Sequence, residues 1–119
     1  MDECSFCKVV AREAPAKIVW ETEDALAFEP LKLAAAGHVL LVSKKHVVGV
    51  LDIDSESWAK TVEVIPELSK YLLKTYAAAG INVLHATGKD AQQSVLHFHL
   101  HLVPRRPNDG LDLWFVGLV

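Results

Sequence analysis

In Leu96-His97-Phe98-His99-Leu100-His101-Leu102 apolar and imidazole side chains alternate without a break. On a β-strand successive side chains point to opposite faces. Leu96, Phe98, Leu100 and Leu102 are therefore expected on a buried face, and His97, His99 and His101 on the other. Neighbouring rings in that row stand about 7 Å apart and the outer two about 13 Å. Lys, Thr or Glu would serve equally well as the wet side of a half-exposed strand, so the residue type points to chemistry. Two chemistries fit. His97 and His99 could be two ligands of one metal ion, with His38 as a third, in a metalloenzyme. Alternatively each ring has its own task. Imidazole, with an ordinary pKa of about 6.5, is largely unprotonated near neutrality and can attack phosphorus, splitting one hard displacement into two easier ones. Such a nucleophile must be neutral, held in one tautomer, and close to donors that stabilise developing charge. Gln92-Gln93-Ser94, just before the row, offers backbone N–H groups and the Ser94 hydroxyl to phosphate oxygens.

Both cysteines lie in Cys4-Ser5-Phe6-Cys7. A disulfide there would close a very small loop and stabilise little. The Cys-x-x-Cys spacing reads instead as half a metal site or as a redox pair. The redox pair usually opens a helix at the end of a strand, and no strand precedes this one. The metal reading needs two more ligands, and the chain has six histidines.

These residues need a frame. Residues 5–12 predict one or two helical turns ended by Ala14-Pro15. Residues 16–21 and 25–29 predict a hairpin around Thr22-Glu23-Asp24. A loop from Pro30 to Gly37 leads to the buried strand Val39–Val42. Asp52-Ile53-Asp54-Ser55 is rich in helix-capping residues. Beyond it Trp58, Val62, Ile65, Leu68, Leu72 and Tyr76 recur every three or four residues, predicting one long amphipathic helix over 56–79. Gly80 should stop it, and Pro66 should kink it near residues 62–66. Ile81–His85 predicts a fourth strand and Val95–Val103 a fifth, ended by Pro104. The order β-β-β-α-β-β with short turns argues for an α+β fold: an antiparallel five-stranded sheet with a long helix and a short N-terminal helix.

The chain has 119 residues, one domain's worth, 51% hydrophobic and 23% charged, which excludes wholesale disorder. A net charge of -3 makes a nucleic acid polymer a poor partner. No apolar run approaches the roughly 20 residues of a membrane span. The acidic Met1-Asp2-Glu3 is unlike a secretion signal, so a cytoplasmic location is expected. The apolar stretch Leu111–Val116 suits a homodimer interface or packing on the chain's own core.

The His97–Leu102 run is similar to the His-x-His-x-His-x signature of the histidine triad (HIT) nucleotide hydrolases and transferases. The resemblance extends through Phe6–Val10, Glu13–Ala16, Ala27-Phe28, Gly37–Val42, Lys44–His46 and Gln93–Val95, which fall in the family's order and spacing. The whole chain, residues 1–119, thus resembles a single HIT domain of the small nucleotide-binding type. That resemblance implies that His99 attacks the α-phosphorus, His101 contacts phosphate and protonates the leaving group, and His38 supports them. It also implies that Gln93 and Ser94 face phosphate, and that Phe6, Val9, Phe28 and Leu31 sandwich the base, a flat purine being well buried by such faces. Zinc-carrying members take four ligands that fall here on Cys4, Cys7, His46 and His97, a closed and therefore structural set.

Three positions depart from the family's pattern. Pro30 stands where many members carry a ribose-binding Asp, with Glu29 before it. Ala86 stands where many have an Asn near phosphate, flanked by His85 and Thr87, and Gln92 where a small Gly is common. The expected activity is hydrolysis of a nucleoside phosphoramidate or similar conjugate through a nucleotidyl intermediate on His99, releasing nucleoside monophosphate. Dinucleoside polyphosphate hydrolysis, nucleotidyl transfer, and nucleotide sensing without turnover are the alternatives.

Overall fold

The computed structural model describes residues 3–117; Met1-Asp2, read above for charge, and Leu118-Val119 lie outside the described residues. Five strands, β1 (Ile18–Glu21), β2 (Ala25–Phe28), β3 (Val39–Ser43), β4 (Gly80–Leu84) and β5 (His99–Arg105), form one antiparallel sheet in the order β1-β2-β3-β5-β4. The β1–β2 turn is held by Thr22, whose hydroxyl accepts from the N–H of Asp24 and Ala25.

β2 and β3 are buried at every residue because both faces of the sheet are covered. Alternation divides their side chains between two apolar clusters. Ala25, Ala27, Val39 and Leu41 join Phe98, Leu100 and Leu102 under the long helical arm. Leu26, Phe28, Leu40 and Val42 face the short helix α1 (Ser5–Val10), meeting Phe6 and Val9. The histidines share this second face: His99 pairs across from Val42 and His101 from Leu40. His38, two residues before Leu40, has the same parity.

The helical arm is bent. It comprises α2 (Ser55–Val62) and α3 (Ile65–Thr75), with Pro66 in the first turn of α3, where its missing N–H costs nothing. Asp54 caps α2 by accepting from the Ser57 N–H at 3.0 Å. Leu68 and Leu72 are fully buried on the sheet, each worth about 1.5–3 kcal/mol of burial. The arm ends at Thr75, four residues short of the expectation. The chain turns at Ala77 (φ 51), and Gly80 is the first residue of β4 rather than a helix stop.

The last strand also differs. Residues 95–98 are not in the ladder, and β5 runs from His99 through Pro104 to Arg105. The Phe98 N–H goes to the Val47 carbonyl at 2.7 Å, drawing this segment off the sheet. Leu96 is consequently 63% exposed rather than on the core face. Pro104 is tolerated because the ladder with β3 stops at Leu102, leaving only β4 beside it. Of the C-terminal apolar stretch, Trp114, Phe115 and Val116 are exposed and do not join the chain's own core.

Candidate active site and metal centre

The rings of His38, His99 and His101 have their tautomers set by groups that can play only one role. The His97 carbonyl can only accept, so His99 donates to it from Nδ1 at 2.7 Å. That leaves the His99 Nε2 with its lone pair. The Ala34 N–H can only donate, so His38 Nδ1 accepts it at 2.9 Å and carries its proton on Nε2. That N–H donates in turn to His101 Nδ1 at 3.0 Å, which puts the His101 proton on Nε2. The cluster therefore presents one free imidazole lone pair and one free imidazole N–H, on rings whose centroids are 5.3 Å apart.

Burial keeps these rings neutral. It lowers the pKa of His38 and of His99 below the ordinary value, against the raising effect on His99 of its bond to the His97 carbonyl. His101 is pushed down to about 4, chiefly by burial and then by its neighbours His99, His38 and His85. A neutral His99 meets the first requirement of a nucleophile.

His97 belongs to a different constellation. One donor atom each from Cys4, Cys7, His46 and His97 lies within 4.8 Å of all the others, the one such group of three or more ligands among the described residues. His97 Nε2 donates to the Ser43 carbonyl at 2.6 Å, which frees Nδ1 as the ligand atom. His97 Nδ1 lies 3.2 Å from His46 Nδ1, 3.3 Å from Cys4 Sγ and 3.5 Å from Cys7 Sγ. A tetrahedral ion with ordinary Zn–N and Zn–S bonds would set N···N at about 3.3 Å and S···N at about 3.5 Å. The residues therefore fit a Cys₂His₂ metal site with no vacant position. Burial and the neighbouring Cys4 push the Cys7 thiol up to about 11, a cost that a bound cation would reverse. His99 and His38 stand outside this group, so the reading in which His97, His99 and His38 share one ion does not match the arrangement.

The other sequence-derived residues divide. Phe6, Val9 and Phe28 come together beside the histidines, the Phe6 ring meeting Phe28 edge-on at 5.4 Å and His99 at 5.1 Å. Leu31 is fully exposed on the loop after β2. Gln93 spends its amide on the chain itself, accepting from the Gly88 N–H and donating to the carbonyls of Val48 and Val95. Ser94 is exposed and lines, with Glu3, His46 and Leu96, a cleft of about 490 Å³ beside the Cys/His group rather than over His99. Glu29 forms an ion pair with Lys17 at 3.2 Å. Missing from the sequence reading are the backbone groups of Ala34, Ser43 and His97 that select the tautomers, since only the folded path brings them to the rings.

Residues 11–108 match the HIT domain family, and the chain belongs to it. A Bacillus subtilis relative named Protein hit is 32% identical over 104 residues, 87% of this chain and 72% of its own length. Adenosine 5'-monophosphoramidase HNT1 of Saccharomyces cerevisiae is 36% identical over 104 residues, 87% of this chain and 63% of that protein. The crystal structure of a Zn-bound histidine triad family protein from Mycobacterium smegmatis superposes with a TM-score of 0.88 at 34% identity, covering 94% of this chain and 81% of that one.

Proposed function

We propose that this protein hydrolyses nucleoside phosphoramidates or closely related nucleotide conjugates, with a purine nucleotide as the favoured substrate class. The observation that carries this reading is the hydrogen bond from His99 Nδ1 to the His97 carbonyl at 2.7 Å, which holds Nε2 as a free lone pair on a neutral ring. In the first step His99 Nε2 attacks the α-phosphorus, forming an N–P bond as the bond to the leaving nitrogen breaks. An anionic phosphate beside His101 favours protonation of that ring, whose Nε2–H then passes to the leaving amine. In the second step water attacks the same phosphorus and gives a proton to His101 Nε2, the His99–phosphorus bond breaks, and nucleoside monophosphate leaves with His99 neutral again and the His101 Nε2–H restored. In the resting site, with His101 neutral, His38 donates to His101 Nδ1 and so turns the His101 Nε2–H outward. Protonation of His101 at Nδ1 in the substrate complex breaks that bond. The names of relatives such as the yeast adenosine 5'-monophosphoramidase support this substrate class over dinucleoside polyphosphates.

Phe6, Val9 and Phe28 supply the apolar base site beside His99. Zinc is the metal best suited to Cys4, Cys7, His46 and His97, where it would tie α1 to the sheet and keep the His97 peptide in place. Two thiolate ligands suit a reducing cytoplasm, and exposed Trp114, Phe115 and Val116 support a homodimer. The test is turnover of adenosine phosphoramidate by wild type and His99→Ala. Loss of AMP release in the variant is expected, and an unchanged rate would refute the reading.

A further inference from the structure

His85 enters neither the phosphate chemistry nor the metal centre, yet its ring is fixed at both nitrogens. The His99 carbonyl can only accept, so His85 donates to it from Nδ1 at 2.9 Å. His85 Nε2 is then an acceptor, filled by the Thr87 hydroxyl. That hydroxyl oxygen in turn accepts the Val50 N–H at 2.9 Å. Donors and acceptors therefore run one way, from Val50 through Thr87 and His85 to the peptide of His99.

The position of this chain of bonds gives it a use. β4 ends at Leu84, paired with His101; continuing that register would set Ala86 against His99, where no ladder remains. The nucleophile thus sits on the first residue of β5, at a sheet end that backbone pairing with β4 does not reach. The His85 side chain takes the place of the missing ladder bond. Its far anchor is a stiff loop. The Asp52 carboxylate accepts from the N–H of Val48 and Gly49 at 3.0 and 2.8 Å. Gly49 packs so tightly on Thr87 that a Cβ there would lie 2.4 Å from Thr87 Oγ1. The same loop holds the Phe98 N–H through the Val47 carbonyl.

We propose that His85, locked by Thr87, is a positioning residue that aims His99 at phosphorus by fixing the His99 peptide on the side β4 leaves open. This rests on His99 being the nucleophile, as proposed above. Packing alone does not call for an imidazole: the ring lies against Phe98 with centroids 4.9 Å apart, a contact Phe would keep.

The experiment compares wild type with His85→Phe, which keeps the ring and removes the donor, His85→Asn, which restores a short N–H donor, and Thr87→Val, which removes the hydroxyl. Steady-state hydrolysis of adenosine phosphoramidate should show His85→Phe lowering kcat by about 10- to 100-fold, as a misplacement near 1 Å would, with KM within about twofold. His85→Asn should recover most of that loss, and Thr87→Val should fall between. Imidazole ¹H–¹⁵N spectra should show the hydrogen-bonded His99 Nδ1–H of wild type weakened in His85→Phe. Unchanged kcat in both His85→Phe and Thr87→Val would overturn the proposal, as would failure of Asn to recover activity while the losses track thermal stability. If His85→Phe does not fold, Thr87→Val decides between the same outcomes. If wild type does not cleave the substrate, the hydrolase reading fails on its own. The spectra then decide the relay: an unchanged His99 Nδ1–H signal in the variants overturns it, and a weakened one supports it.

Discussion

Gly37 sits one residue before His38 with φ +89, and a Cβ built on it would lie 2.7 Å from Tyr76 Cδ2, 2.9 Å from Tyr76 Cγ and 3.0 Å from Pro104 Cγ. Gly37→Ala therefore meets two costs. The left-handed backbone costs any L-residue about 1–2 kcal/mol. The overlap falls on the base of the Tyr76 ring and on buried Pro104, neither the free end of a flexible chain, and forcing them apart costs about 1–3 kcal/mol more. The sum is about 2–5 kcal/mol. Gly110 provides the control: its φ is +77 and nothing lies within 4 Å of its would-be Cβ, so Gly110→Ala should cost only the backbone part. Urea unfolding of the two variants, compared at equal m-value, measures the difference. A shifted Gly37 also moves His38 against His101, so AMP release should fall in Gly37→Ala alone. Equal destabilisation of the two variants would refute the packing argument.

Gln92 holds φ 68 at the end of a short 3-10 turn, so Gln92→Gly should raise stability by about 0.5–1 kcal/mol, the relieved strain less the added chain entropy. A lower urea midpoint in that variant would contradict this. Chelation of the metal-loaded protein should lower its melting temperature, whereas in Cys4→Ser or His46→Ala, which lack a closed ligand set, chelator should change little. The folded protein holds the His101 pKa near 4 and the unfolded chain lets it return to 6.5, so the unfolded state binds the extra proton between those values. Stability from this group is complete above pH 6.5 and is lost as pH falls toward 4. Unfolding curves of His101→Gln should lack that part of the acid slope.

Much of the frame was legible because its signals are local. The apolar run Val39–Val42, the polar turn Thr22-Glu23-Asp24, the period of Leu68 and Leu72, and the Asp54 cap depend on neighbours in sequence, and the bend at Glu63-Val64 follows from Pro66. The fifth strand was misread for a physical reason. Val95–Phe98 carries the same alternation as the true strand, but the Val47 carbonyl and the His97 ring bonds compete for it and win. The rings that share a face were readable from parity at His99 and His101. Their tautomers were not, since the Ala34 N–H and the His97 carbonyl are backbone groups that carry no residue signature. His85 was opaque because its role depends on the β4–β5 register, which the sequence does not disclose.

Peptide mass spectrometry of protein quenched with acid-free denaturant during turnover of adenosine phosphoramidate bears most directly on the nucleophile. A single adenylyl group on the peptide containing His99, absent from His99→Ala, is the expected result. Full turnover with no adduct on any histidine, or an adduct on His101 or His38 instead, would contradict the assignment.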